Sequence, residues 1–177
     1  RTVAQGSGTT YTPSVTALNG FSSAVSFSLS GLPSGATGTF NPASVTGSGS
    51  STLTVATAAN TPTGTYTLTI TGTSGSLTQT TPVTLIVSSA PSFSLAASPG
   101  TQTVVQGAAT SFTPAVTGSN GFSAAVTFSV SGLPTGVTGT FNPTSVTGSG
   151  SSTLTLSTSA AAVTGSYALT ITGTSGS

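Results

Sequence analysis

Apolar and polar residues alternate along much of this chain. Thr65 to Thr71 reads Thr-Tyr-Thr-Leu-Thr-Ile-Thr, a period of two without a break. Val25, Phe27 and Leu29 share one face of such a pattern, Ser26 and Ser28 the other, and Thr52 to Val55 alternates likewise. A period of two sends successive side chains to opposite faces of a strand, and no helical spacing competes with it. Most polar positions are Thr or Ser. Thr suits a strand because its branched β-carbon packs on the pleated surface. Gly, Pro and Asn interrupt the pattern every 8–12 residues or so, the spacing of short strands in an all-β sandwich or barrel.

The pattern occurs twice. Residues 1–76 align with 102–177 at a constant offset of 101, without a gap, and 53 of the 76 pairs are identical. A period of this length suits a small domain in tandem rather than a solenoid unit. The domains expected are 1–88, lacking the start of its first strand, and 89–177, lacking its last. One full period read from Pro91 predicts a split first strand (Phe93–Ser98 and Thr103–Gln106) and a second at Thr110–Thr117. Val126–Val130, Thr138–Phe141, Thr153–Leu156 and Ser166–Thr172 follow, with a seventh by analogy to Thr81–Val87 of the first copy. Seven strands in about 100 residues is the immunoglobulin-like count.

Particular residues sharpen this. Ser30-Gly31-Leu32-Pro33 recurs as Ser131-Gly132-Leu133-Pro134, Gly38-Thr39-Phe40-Asn41-Pro42 as Gly139-Thr140-Phe141-Asn142-Pro143, and Tyr66 to Ile70 as Tyr167 to Ile171. The combined run resembles the tandem immunoglobulin-like repeats of bacterial secreted and cell-surface proteins, over almost the whole chain and in both copies. The resemblance implies two immunoglobulin-like β-sandwiches and an extracellular or cell-surface location. Many such repeats bind calcium through acidic loop residues, and some form Lys–Asn crosslinks. This chain has no Asp, Glu or Lys, so neither property transfers.

Composition then removes most chemistry. There is one Arg and no Lys, Asp, Glu, His, Cys, Met or Trp, while 73 of the 177 residues are Ser or Thr. No carboxylate is available for acid–base work or glycoside hydrolysis. No His or Cys can bind zinc or act in a triad, and the hydroxyls have no base to activate them. The expectation is therefore no catalytic, metal or cofactor site, and no enzyme. A basic patch for nucleic acid is lacking. Runs such as Leu85-Ile86-Val87 fall far below the roughly 18 residues of a membrane helix, so membrane insertion is not expected. Leu32-Pro33-Ser34-Gly35 and Leu133-Pro134-Thr135-Gly136 read as loops, as does Gly47-Ser48-Gly49-Ser50.

Two pairs of aromatics are candidate ligand or packing contacts. Tyr66 and Tyr167 read either as sugar-stacking rings or as corner or core tyrosines of the sixth strand. Phe21 and Phe122 follow the turn signals Asn19-Gly20 and Asn120-Gly121 and either meet a ligand or close one end of a sandwich. Phe27, Phe40, Phe128 and Phe141 are expected in the core. O-linked sugars on Ser and Thr are a further expectation. They would hydrate faces that lack charge and guard strand edges that lack Lys.

The copies differ in what accompanies them. The first has no counterpart of Ser89–Thr101, the second none of Leu77–Val87. Val83, Leu85 and Val87 should point inward. At roughly 1.5–3 kcal/mol per buried side chain, they matter against a net stability of about 5–15 kcal/mol. They form the candidate inter-subunit or inter-domain strand, supplied to the second copy by further tandem repeats or by another chain through strand addition. The reading that follows is a non-catalytic extracellular structural protein: a segment of a filament, stalk or surface layer. Its spacer Ser88-Ser89-Ala90-Pro91 is stiffened by Pro, and its partners are copies of itself or neighbouring repeats. The alternative is a carbohydrate-binding or spacer module on a secreted hydrolase, with glycans as partners.

Overall fold

The computed structural model describes residues 1–176. They form strands and turns with no helix, so the protein is all-β. The chain divides into two compact units, Arg1–Ala90 and Pro91–Ser177.

In the first unit the strands are β1 (Thr2–Ala4), β2 (Gly8–Tyr11), β3 (Ser14–Val15), β4 (Ala24–Ser30), β5 (Ala36–Asn41), β6 (Ser44–Thr46), β7 (Gly49–Ser50), β8 (Thr52–Thr57), β9 (Gly64–Ser74) and β10 (Leu77–Ser88). One sheet has the order β1-β10-β9-β4-β6, another β2-β8-β5, with β3 and β7 paired beside it. β1 runs parallel to β10, with Val3 opposite Val87. β9 and β10 form a long antiparallel pair from Leu77↔Ser74 to Val87↔Gly64. The core draws Leu68, Ile70, Leu85, Val87 and Val3 from the first sheet and Leu53 and Val55 from the second, so the two sheets face each other across it. Alternation makes this possible: in β8 every second residue is buried, Leu53, Val55 and Thr57, while Thr52, Thr54 and Ala56 are exposed.

In the second unit the strands are β11 (Ser92–Ser98), β12 (Ala109–Ser119), β13 (Ala125–Ser131), β14 (Val137–Asn142), β15 (Ser145–Thr147), β16 (Gly150–Ser151), β17 (Thr153–Thr158) and β18 (Thr170–Thr174). β11-β12-β17-β14 form one sheet, with β16 also on β12, and β15-β13-β18 form the other. The core cluster here is Val116, Val126 and Phe128, with Phe93, Leu95, Phe122, Phe141 and Val146 packed on it. Phe27 stacks on Phe40 at 5.4 Å and Phe128 on Phe141 at 5.5 Å, so the expected core aromatics pair in both copies.

Two predicted strands are corrected. Thr103–Gln106 is not a strand, and Ser166–Leu169 is not part of β18, which begins at Thr170. Both have the same cause. In the first unit the equivalents of these segments bond to β10: Thr2–Ala4 pairs with Ile86–Ser88, and Gly64–Leu68 pairs with Val83–Val87. No strand occupies that position among the described residues of the second unit. A backbone without a ladder partner has no reason to stay extended and bonded.

Shared fasteners hold both units. Ser51 Oγ donates to Pro42 O and Ser152 Oγ to Pro143 O, each at 2.6 Å. Thr57 Oγ1 donates to Ser7 O at 2.7 Å and Thr158 Oγ1 to Ala108 O at 2.8 Å. Gln5 Nε2 reaches Thr61 O and Gln106 Nε2 reaches Ala162 O, each at 2.7 Å. Such hydroxyls are tolerated in the interior because they are satisfied. Gly31 and Gly132 sit at φ +86° and +84°, where a β-carbon would run into the carbonyl of Thr67 or Ala168. That close approach needs glycine at both.

Candidate functional site

Each unit carries a groove, and each groove lies where the other unit has a strand. In the first unit the groove has a volume of about 470 Å³. One wall is the consecutive stretch from Pro13 to Leu18, the other the start of β10, and Phe21, Val25, Phe27, Ile70 and Gly72 lie between them. In the second unit the equivalent stretch, Pro114–Ser119, is paired along its length with β11. Phe93 and Leu95 fill the space, and the rings of Phe93 and Phe122 lie 5.1 Å apart.

The second unit's groove has a volume of about 410 Å³. Val104, Val105 and Gln106 line it on one side, Thr164, Gly165 and Tyr167 on another, with Val137 and Ala162 also in the lining. In the first unit the counterparts of Val104 and Val105 belong to β1, and those of Gly165 and Tyr167 pair with β10. Strand β10 is where Val83, Leu85 and Val87 lie: Leu85 and Val87 are buried and Val83 half-buried, all against the first unit's own core.

The candidate aromatics divide between these places. Phe21 lines the first groove. Phe122, its counterpart, packs beneath Phe93. Tyr66 is half-buried beside the core and donates its hydroxyl to Pro62 O at 2.9 Å. Tyr167 is 43% exposed, lines the second groove and donates to Thr164 O at 3.4 Å. Phe21 and Tyr66 therefore belong to different surroundings within the first unit, and so do Phe122 and Tyr167 within the second. The alternation of Tyr66-Thr67-Leu68 made these rings visible in the sequence. The wall Pro13–Leu18 was not singled out there, although the missing counterpart of Ser89–Thr101 was the signal for it.

Electrostatics adds little. Arg1 is the one charged side chain, and its amino terminus donates to Thr84 O at 2.8 Å. Tyr11 donates its hydroxyl to the same carbonyl at 2.8 Å. Burial pushes the Tyr11 phenol above its ordinary value, with the nearby Arg1 charge pulling the other way. Neither groove lining holds an ionisable group apart from Tyr167.

No known protein family and no curated protein matches this chain. Solved structures do. Domains 4 and 5 of the S-layer protein SbsC are 18% identical over 85% of this chain and 64% of that one, with a TM-score of 0.42. Domains 1–6 of SbsC are 20% identical over 85% of this chain and 18% of that one, at 0.45. The D0-D1 domain of intimin is 20% identical over 95% of this chain and 85% of that one, at 0.33. The chain thus spans 64% and 18% of the two S-layer structures. Likenesses of this degree assign no function.

Proposed function

We propose that this chain is a non-catalytic structural segment of an extracellular or cell-surface assembly built from immunoglobulin-like units. The filament, stalk or surface layer grows through copies of the chain or neighbouring repeats that complete its open sheet edges. The observation that carries this reading is the second unit's groove. Its lining includes Val104, Gly165 and Tyr167, whose counterparts Val3, Gly64 and Tyr66 all pair with β10 in the first unit, and strand addition to such an edge is a known mode of association. Two further features support it. A chain with a single charged side chain has little to keep copies apart, and its sheet edges lack the Lys that commonly prevents edge pairing. The absence of any carboxylate, imidazole, thiol or amine side chain supports a mechanical role over a chemical one.

Electron microscopy of undenatured native material tests the reading. Regular filaments or sheets with a repeat matching one or two units support it. Isolated globules at all concentrations, with no self-association, would send the function back to an appended module.

A further inference from the structure

Four dipeptides of this chain place a side-chain amide directly before glycine: Gln5-Gly6, Asn19-Gly20, Gln106-Gly107 and Asn120-Gly121. The fold ties down some of these amides and leaves one open. We infer that Asn19 is a self-modification site. Its side chain closes on the nitrogen of Gly20 to form a cyclic imide, which water opens to aspartate and isoaspartate.

The step needs no partner protein and no reagent but water. The Gly20 nitrogen gives up its proton and bonds to Cγ of Asn19. The bond from Cγ to the side-chain nitrogen breaks, and that nitrogen leaves with the proton as ammonia. Water then adds to one of the two imide carbonyls. Opening at Cγ gives aspartate. Opening at the main-chain carbonyl carbon gives isoaspartate, with the chain running through the β-carbon. The reacting groups belong to adjacent residues, so ring closure is intramolecular. Glycine sets no side chain against the attack.

Hydrogen bonding selects Asn19 among the amides. Gln5 Nε2 donates to Thr61 O at 2.7 Å and Gly6 N to Ala58 O at 3.2 Å. Gln106 Nε2 donates to Ala162 O at 2.7 Å and Gly107 N to Ser159 O at 3.2 Å. Both ends of either ring are therefore held. Asn60 precedes the completely buried Thr61, whose nitrogen donates to Ala58 O at 3.0 Å and whose Oγ1 accepts from Ala58 N at 2.9 Å. Asn41 and Asn142 precede proline, whose nitrogen has no proton to lose.

Asn19 and Gly20 are both exposed. They are the central residues of a turn closed by Phe21 N donating to Leu18 O at 3.0 Å, at φ 51° and 78°. Positive φ at both positions is the type I′ form, and among the described residues the Gly20 N–H has no acceptor. A β-carbon at Gly20 would meet nothing within 4 Å, so the turn has room to rearrange. Asn120-Gly121 forms the same turn, at φ 53° and 77°. Asn120, however, has a partner of its own, so Asn19 reacts first.

Two consequences follow. A carboxylate enters a chain that has none and cancels its formal net charge of +1. Isoaspartate also adds an atom to the main chain inside the turn, so the bond from Phe21 to Leu18 no longer closes as before.

The test keeps the whole 177-residue chain, nitrogen-labelled, in warm neutral buffer. NMR follows each side-chain amide while isoelectric focusing follows charge. The Asn19 amide should disappear about tenfold faster than that of Asn60, whose ring nitrogen is held by the fold. Isoaspartate should appear at position 19, an acidic band should grow in step, and exchange at the Phe21 amide should quicken. Asn19→Ser should delay the acidic band. Three results would overturn the inference: Asn19 persisting while Asn120 is lost, Asn60 or either glutamine matching its rate, or aspartate as the sole product. The last would mean direct hydrolysis of the side chain, because only the imide yields isoaspartate.

Discussion

Leu68 and Leu169 hold the same position in the repeat and follow the same tyrosine at the same spacing. Leu68 is completely buried, while Leu169 is half-buried. Val15 and Val116 show the opposite ordering: the first unit's valine is half-buried and the second unit's is buried. Ile70 against Ile171 follows the first pair and Phe27 against Phe128 the second. In each case the better-buried residue belongs to the unit with the covering strand, β10 in the first and β11 in the second. The two cores accordingly gather at different places: around β9 and β10 in one unit, and beneath β11 in the other. Near-identical sequence therefore does not give identical packing. A sandwich's interior depends on both edges, because an edge strand covers apolar residues that are otherwise partly exposed.

The largest test of this comparison supplies the missing strand. Fusing a copy of Leu77–Ser88 to the C-terminal end should bury counterparts of Leu85 and Val87 in the second groove. A gain of roughly 3–6 kcal/mol in that unit is expected, with new exchange protection at Ser166–Leu169. Denaturant titration followed by unit-resolved exchange measures it. A fused strand that leaves the second unit's stability unchanged would break the comparison, because the groove would then not be a strand slot.

A smaller effect comes from truncating the paired leucines. Leu68→Ala should cost the first unit about 2–5 kcal/mol, the range for a fully buried leucine. Leu169→Ala should cost clearly less, because part of its side chain already meets water. Equal losses in the two units would show that the covering strand is not what separates them.

The shared fasteners provide the control. Ser51→Ala and Ser152→Ala each remove a 2.6 Å hydrogen bond from a buried serine, worth about 1–3 kcal/mol. The two losses should agree, since neither serine is in the lining of a groove. A marked inequality would mean that an open edge weakens the whole unit.

Titration gives the smallest effect. Tyr11 has a raised phenol pKa, so its folded form favours the neutral hydroxyl. The resulting stabilisation is fully present below the ordinary tyrosine value of about 10 and is lost as pH rises through the higher folded value. The second unit has Phe112 at this position. Alkaline melting curves should therefore show an extra loss in the first unit, removed by Tyr11→Phe. Between about pH 4 and 9, with no carboxylate or imidazole side chain to titrate, the melting temperature should stay nearly flat.

Much of the fold was legible in the residues. Alternation located β4, β8, β13 and β17 closely, and the Asn-Gly pairs marked turns that adopt positive φ: 51° and 78° at Asn19 and Gly20, 53° and 77° at Asn120 and Gly121. The grooves were legible only in part. The repeat alignment exposed the missing counterpart of Leu77–Val87, and weighing its apolar residues pointed to the second edge. The first edge, along Pro13–Leu18, is not marked in the sequence, because its residues alternate in the same way whether or not a strand lies beside them.

The sequence by itself determined the all-β class, the twofold repetition and the lack of carboxylate, imidazole, thiol and lysine side chains, since each follows from residue type and local period. Only the tertiary structure decided which alternating segments became strands. Ser166–Leu169 has the same pattern as Thr65–Leu68 and lacks its strand pairing, because a strand's ladder hydrogen bonds and its cross-strand packing come from a neighbour distant in sequence.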